Sequence, residues 1–248
     1  MPTSPARNDR SLEYTAYVER EEELERLETQ AKAGKSLLVF GPPGVGKSRL
    51  LQVFVAHQPL ALYVPQLHSP RELLHGLLEA LRSADAKIKL PANVEALSSS
   101  SLKGVVHRAL ETKPYQMVLD HLEGPSRVVT GIIKDLHYFG RTPVIFASRS
   151  PHMEDIGALQ PLCALKSERV EMKNWPHSIA LQFAQREAEN AQLEATNLGS
   201  VLPSLVEWSD GNPGAILQML KMAHKPQYQV GDQIKGHVLY LDFRMGRY

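Results

Sequence analysis

Sulfur chemistry is nearly absent from this 248-residue sequence, whose one cysteine is Cys163. A lone thiol excludes an internal disulfide framework and any cysteine-rich zinc site, and it suits a reducing compartment. No apolar run approaches the roughly 20 residues needed to cross a bilayer. The opening MPTSPARNDRSLEY also lacks the apolar centre of a signal peptide, so the expectation is a cytoplasmic protein with no membrane partner. Neither sign of charge dominates: 28 Lys and Arg against 27 Asp and Glu leave +1, so any basic patch for nucleic acid must be local. The ten histidines show no metal-site spacing, and only His68 and His75 share a helical stretch. No nucleophile elbow and no internal repeat is visible. With 43% hydrophobic residues, the chain can bury one large core and a small satellite domain.

What is present is an alternation. Residues 1–13 are polar and read as a mobile N-terminal arm. ERLETQAKAG then has helical spacing with Gly34 as its stop, SLLVF reads as a buried strand, and KSRLLQVFVAH resumes helical spacing. LALYVP, YQMVLD, PVIFAS and RVEMKNW are the next strands. Helices lie between them, among them SPRELLHGLLEALRS with Ser69 as N-cap, Pro70 in its first turn and Glu72 three residues on. Strands apolar throughout belong where helices cover both faces of a parallel sheet. The spacing predicts an α/β domain over 14–175, a small helical lid over 176–224 and a β-rich C-terminal extension over 225–248, read as two short strands or a hairpin.

Between the first strand and its helix stands GPPGVGKS, which fits G-x-x-x-x-G-K-[ST] in its required strand-to-helix setting. Gly41, Pro42, Pro43, Gly44, Val45, Gly46, Lys47, Ser48 and Arg49 are therefore the candidate phosphate-binding segment. Its backbone N–H groups curl around phosphates at a helix N-terminus. Lys47 would bridge the outer phosphates and the Ser48 hydroxyl would ligate magnesium, with Asp120, at the end of QMVLD, as the second magnesium-side group. ATP or ADP with Mg2+ is the implied cofactor.

The loop, MVLD, VIFASRS and GNPGAIL follow one another in the order seen in the STAND branch of AAA+-like P-loop ATPases, relatives of the origin-recognition ATPases, which this chain resembles. YVEREEELERL is similar to that family's N-terminal box, with Glu19 at the usual glycine, which implies nucleotide contact near Tyr17, Val18 and Arg20. FASRS is similar to its sensor segment, with Ala147 at the usual threonine, and implies that Arg149 senses the γ-phosphate. GNPGAIL implies that Pro213 touches base or ribose and reports nucleotide state to the lid. The family implies a P-loop sheet in which a further strand separates the loop strand from the aspartate strand.

The family usually sets a water-activating carboxylate directly after the magnesium aspartate, and here that residue is His121. Three readings stay open. Glu123 reaches the water, since the chain turns sharply after the strand and side chains two apart leave on the same side. His121 serves as base, which an unperturbed pKa of about 6.5 permits. Or no base is present, and the site is a non-hydrolytic switch for a protein partner. The expected function is a hydrolase that couples slow ATP turnover to a conformational or assembly change, through self-association or a separate partner. No motif marks an arginine finger among Arg127, Arg141 and Arg169. Lys221, Lys225, Lys235, Arg244 and Arg247, interleaved with Tyr228, Tyr240, Phe243 and Tyr248, keep nucleic-acid contact by the tail open as a DNA-associated alternative.

Overall fold

The structure is a computed structural model that describes residues 20–66, 69–91 and 93–247. The arm at 1–13, together with Tyr17, Val18, His68 and Tyr248, lies outside the described residues. Contacts divide the chain into two compact units: the residues through Gly41 with Lys47–Met172, and Pro42–Gly46 with the residues from Lys173 onward.

The first unit holds a five-stranded parallel sheet of β1 (Leu37–Phe40), β2 (Ala61–Val64), β3 (Gln116–Leu119), β4 (Val144–Ser148) and β5 (Arg169–Glu171), in the order β2-β3-β4-β1-β5. β4 thus separates the loop strand β1 from the aspartate strand β3, with Phe40 paired to Ser148 and Leu119 to Phe146. All five residues of β4 are buried, as expected where helices cover both sheet faces. The helices are α1 (Glu21–Lys32), α2 (Lys47–His57), α3 (Pro70–Ala84), α4 (Ser99–Leu110), α5 (Arg127–Tyr138) and the single turn α6 (Met153–Ile156).

Helix α3 shows how local sequence and packing agree. The Ser69 hydroxyl accepts from the Glu72 amide, Pro70 opens the first turn, and Leu73, Leu74, Leu77, Leu78 and Leu81 form one buried stripe. Burying each leucine contributes about 1.5–3 kcal/mol relative to exposure. α1 stops at Gly34, whose φ of +67° is the left-handed conformation that glycine adopts without strain. Cys163 is buried, and burial pushes its thiol pKa up, as suits an inert thiol.

The second unit contains α7 (His177–Asn190), α8 (Leu198–Trp208), α9 (Pro213–Ala223), the hairpin β6 (Gln229–Val230) and β7 (Gln233–Ile234), and α10 (Gly236–Arg244). On α7 the buried Ala180, Ala184 and Ala188 recur every four residues and share a core with Leu205, Met219, Tyr228 and Leu239. Trp175 meets the Phe183 ring edge-on at 4.9 Å, and Trp208 stacks on Tyr240 at 4.8 Å. The hairpin is where the sequence placed it, but the β-forming residues after Gly236 are helical. Leu239 packs into the core with Phe243 one turn on, so tertiary burial decides the state rather than propensity. Tyr228 is buried and donates to Asp242 at 3.0 Å, so the tail belongs to the core of this unit. Among the described residues no helix is long and apolar enough to cross a membrane.

Candidate functional site

The phosphate loop leaves β1 at Gly41, where a Cβ would lie 2.2 Å from the carbonyl oxygen of Met172, so only glycine fits. The helix begins at Lys47, and the first amides of any helix lack intrahelical acceptors. Ser48 and Arg49 stand half-buried in that first turn. The Lys47 ammonium donates to the Gly41 carbonyl at 2.7 Å, folding the side chain back over its own loop. Burial lowers its pKa, against the attraction of Asp120 and Glu123. A phosphate at the loop would exchange a neutral carbonyl acceptor for an anion, which favours the charged lysine.

At the end of β3, Asp120 is buried. Its Oδ1 accepts from the His121 amide at 2.8 Å, and its Oδ2 accepts from the Tyr63 hydroxyl at 2.8 Å. Burial and this bond raise the Tyr63 pKa, with a smaller opposing effect from the Gln52 side chain. His121 takes a φ of +50°, and its Nδ1 lies 3.2 Å from the Pro65 carbonyl, beyond β2, and 3.3 Å from Asp120 Oδ2. Glu123 goes the other way, accepting from Nε and Nη2 of Arg149 beyond β4, both at 3.0 Å. The chain turns at His121, whose left-handed backbone breaks the two-residue repeat, and the side chains of residues 121 and 123 have different partners.

Thus the first unit brings Glu123 and Arg149, expected in separate roles, into one bidentate ion pair. Beside Arg149, Ser148 is buried, and its Oγ has no hydrogen-bond partner among the described residues. Arg20 is also buried at the head of α1, bonded to Glu23 at 2.9 Å. Arg169 donates to the Cys163 carbonyl at 2.7 Å, and Arg141, like His121, has a φ of +50°.

In the second unit, the GNPGAIL turn is built around Asn212. Its Nδ2 donates to the Pro43 carbonyl and to Asn174 Oδ1, both at 3.0 Å, while its Oδ1 accepts from the Ala215 amide at 3.1 Å and caps α9. The Gly214 amide donates to the Gly44 carbonyl at 2.9 Å, and a Cβ on Gly214 would stand 2.7 Å from Gly44 Cα. Pro213, the residue singled out from sequence, is the buried first residue of α9. Asn212 and Gly214 were missed, although Asn before Pro at a helix start is a capping signature. Tyr63 was also missed and carries no local signal, because its partner is 57 positions away.

Among the described residues, no group of three or more His, Cys, Asp or Glu could hold a metal. The Ser48 hydroxyl and the buried Asp120 carboxylate are oxygen donors of the kind a hard cation takes.

No protein-family model matches the chain, and no curated protein matches it in sequence. Solved structures share its fold. A Walker-type ATPase of Pyrococcus abyssi superposes with a TM-score of 0.63 at 20% identity, covering 92% of this chain and 72% of that one. Cdc6p of Pyrobaculum aerophilum gives 0.63 at 12% identity, covering 92% and 63%. The Orc1 protein of Aeropyrum pernix, solved in complex with DNA, gives 0.64 at 14% identity, covering 96% and 69%. The parallel sheet and its flanking helices are thus those of the P-loop NTPase fold that these structures share.

Proposed function

We propose that this chain binds ATP with magnesium and hydrolyses it slowly, using the nucleotide to drive a conformational or assembly change. The observation that carries this reading is the Lys47 ammonium held on the Gly41 carbonyl at the head of α2 while Asp120 lies buried at the end of β3. Lys47 and the loop amides hold phosphates, and Ser48 and Asp120 hold magnesium. A bound magnesium ion would neutralise charge on the outer phosphates. Arg149 senses the γ-phosphate, Glu123 or His121 positions water, and Pro213 couples nucleotide state to the helical unit. The STAND subtype rests on the motif order alone.

The Glu123–Arg149 pair also favours a second reading, a switch that holds nucleotide without turnover, because the candidate base is bonded through both carboxylate oxygens. Phosphate release from Mg-ATP separates the two. Turnover that Lys47→Ala and Glu123→Gln abolish and His121→Ala retains supports the enzyme with Glu123 as base. Lys47-dependent ATP binding without turnover at any protein concentration supports the switch, and absence of ATP binding sinks both. The DNA-associated alternative predicts ATP-dependent duplex binding that weakens steeply with salt, and a flat salt response removes it.

A further inference from the structure

Tyr63 belongs to β2, the edge strand of the sheet, in register with Val118, two residues before Asp120. Neighbouring strands lie about 4.8 Å apart, so a side chain acting on Asp120 from β2 must cross one strand spacing and advance along it. The phenol does so, and its hydroxyl ends 2.8 Å from Asp120 Oδ2. The other oxygen, Oδ1, is held by the His121 amide at 2.8 Å, so the carboxylate is pinned at both ends while only 1% of the residue is exposed. An ionised carboxylate has about four acceptor positions. These donors, with the His121 ring nitrogen 3.3 Å from Oδ2 beside them, fix its rotation and still leave acceptor capacity for a cation or its water.

We propose that Tyr63 is a positioning residue of the metal side of the site, acting on a nucleotide-bound divalent cation through Asp120. This rests on the reading of the chain as a Mg-ATP protein. Hydrogen-bond partners of a ligating carboxylate orient it toward the metal, and their loss typically weakens metal affinity about tenfold or more. Phenylalanine keeps the ring and its packing and removes only the donor, so Tyr63→Phe isolates the effect.

The experiment uses Mn2+ and ATP as probes, with Mn2+ followed by electron paramagnetic resonance and ATP binding measured separately in EDTA. Wild type, Lys47→Ala, Tyr63→Phe, Asp120→Asn and the Tyr63→Phe/Asp120→Asn double variant are compared, each first checked for a native far-UV spectrum. Tyr63→Phe is expected to bind metal-free ATP within about twofold of wild type while its half-saturating Mn2+ rises about tenfold. In the Asp120→Asn background the same change has no further effect, because Tyr63 acts only through that carboxylate. Half-saturating Mn2+ unchanged in Tyr63→Phe, or an equal loss in the Asp120→Asn background, overturns the proposal and leaves the ATP reading standing. Wild type that shows no Lys47-dependent ATP binding overturns both.

Discussion

Replacing Asn212 with alanine tests the geometry around the phosphate loop most directly. The residue is 9% exposed, and its side chain makes three bonds: the α9 cap to the Ala215 amide, and donations to Pro43 and Asn174. Losing an asparagine cap costs about 1 kcal/mol, and a net intramolecular hydrogen bond contributes about 1 kcal/mol. Pro43 is exposed, so water replaces part of its lost donor, and the sum is about 2–3 kcal/mol. Asn212→Asp separates the contributions, since aspartate keeps the acceptor for the Ala215 amide and suits a helix N-terminus but cannot donate to Pro43 or Asn174. Urea unfolding followed by circular dichroism should place alanine about 2–3 kcal/mol below wild type, with aspartate about midway. Alanine within about 0.5 kcal/mol of wild type, or aspartate no better than alanine, would refute the reasoning.

Gly41→Ala sets a Cβ 2.2 Å from the Met172 carbonyl oxygen, a backbone atom that cannot step aside, so a loss of about 2 kcal/mol or more is expected by the same assay. Arg149→Ala breaks an ion pair whose side chains are 55% and 50% exposed, so stability should fall by less than about 1 kcal/mol. If Arg149 reads the γ-phosphate, that variant keeps wild-type affinity for ADP and loses affinity for ATP, and equal losses for both count against the role. The Tyr63 pKa is raised above its ordinary 10.0, so the folded chain keeps a proton that the unfolded chain releases. Its stabilising contribution is whole below about pH 10 and declines as pH climbs above it. Lys47, with its pKa lowered, acts in the opposite sense as pH approaches 10.5 and is present in both proteins. Tyr63→Phe should therefore show the shallower alkaline loss, and parallel curves would contradict the assignment.

The parallel sheet was legible because its signals are local. Leu37–Phe40 is an apolar run that ends in glycine, and Lys47–His57 starts where the motif turns into helical spacing. The N-cap at Ser69 was legible for the same reason. The parts that escaped depend on long-range register. No feature of ALYV shows that its tyrosine meets Asp120, since that follows from β2 lying beside β3. The Glu123–Arg149 pair likewise depends on β4 being the other neighbour of β3. Composition misled at the C-terminus, where HVLYLDFR contains β-formers but buries Leu239 as a helix. The grouping of residues 42–46 with those after 173 also left no local trace, because it rests on Asn212 and Gly214 meeting Pro43 and Gly44.

The placement of the indole rings has a practical consequence. The chain has two tryptophans, and Trp175 and Trp208 both belong to the second unit, each against another aromatic ring. Excitation at the red edge of indole absorption therefore lights up the helical unit and leaves the sheet dark. If the chain binds nucleotide as proposed, any response of that unit can be read from its own emission, without a dye and without altering a residue of the phosphate loop.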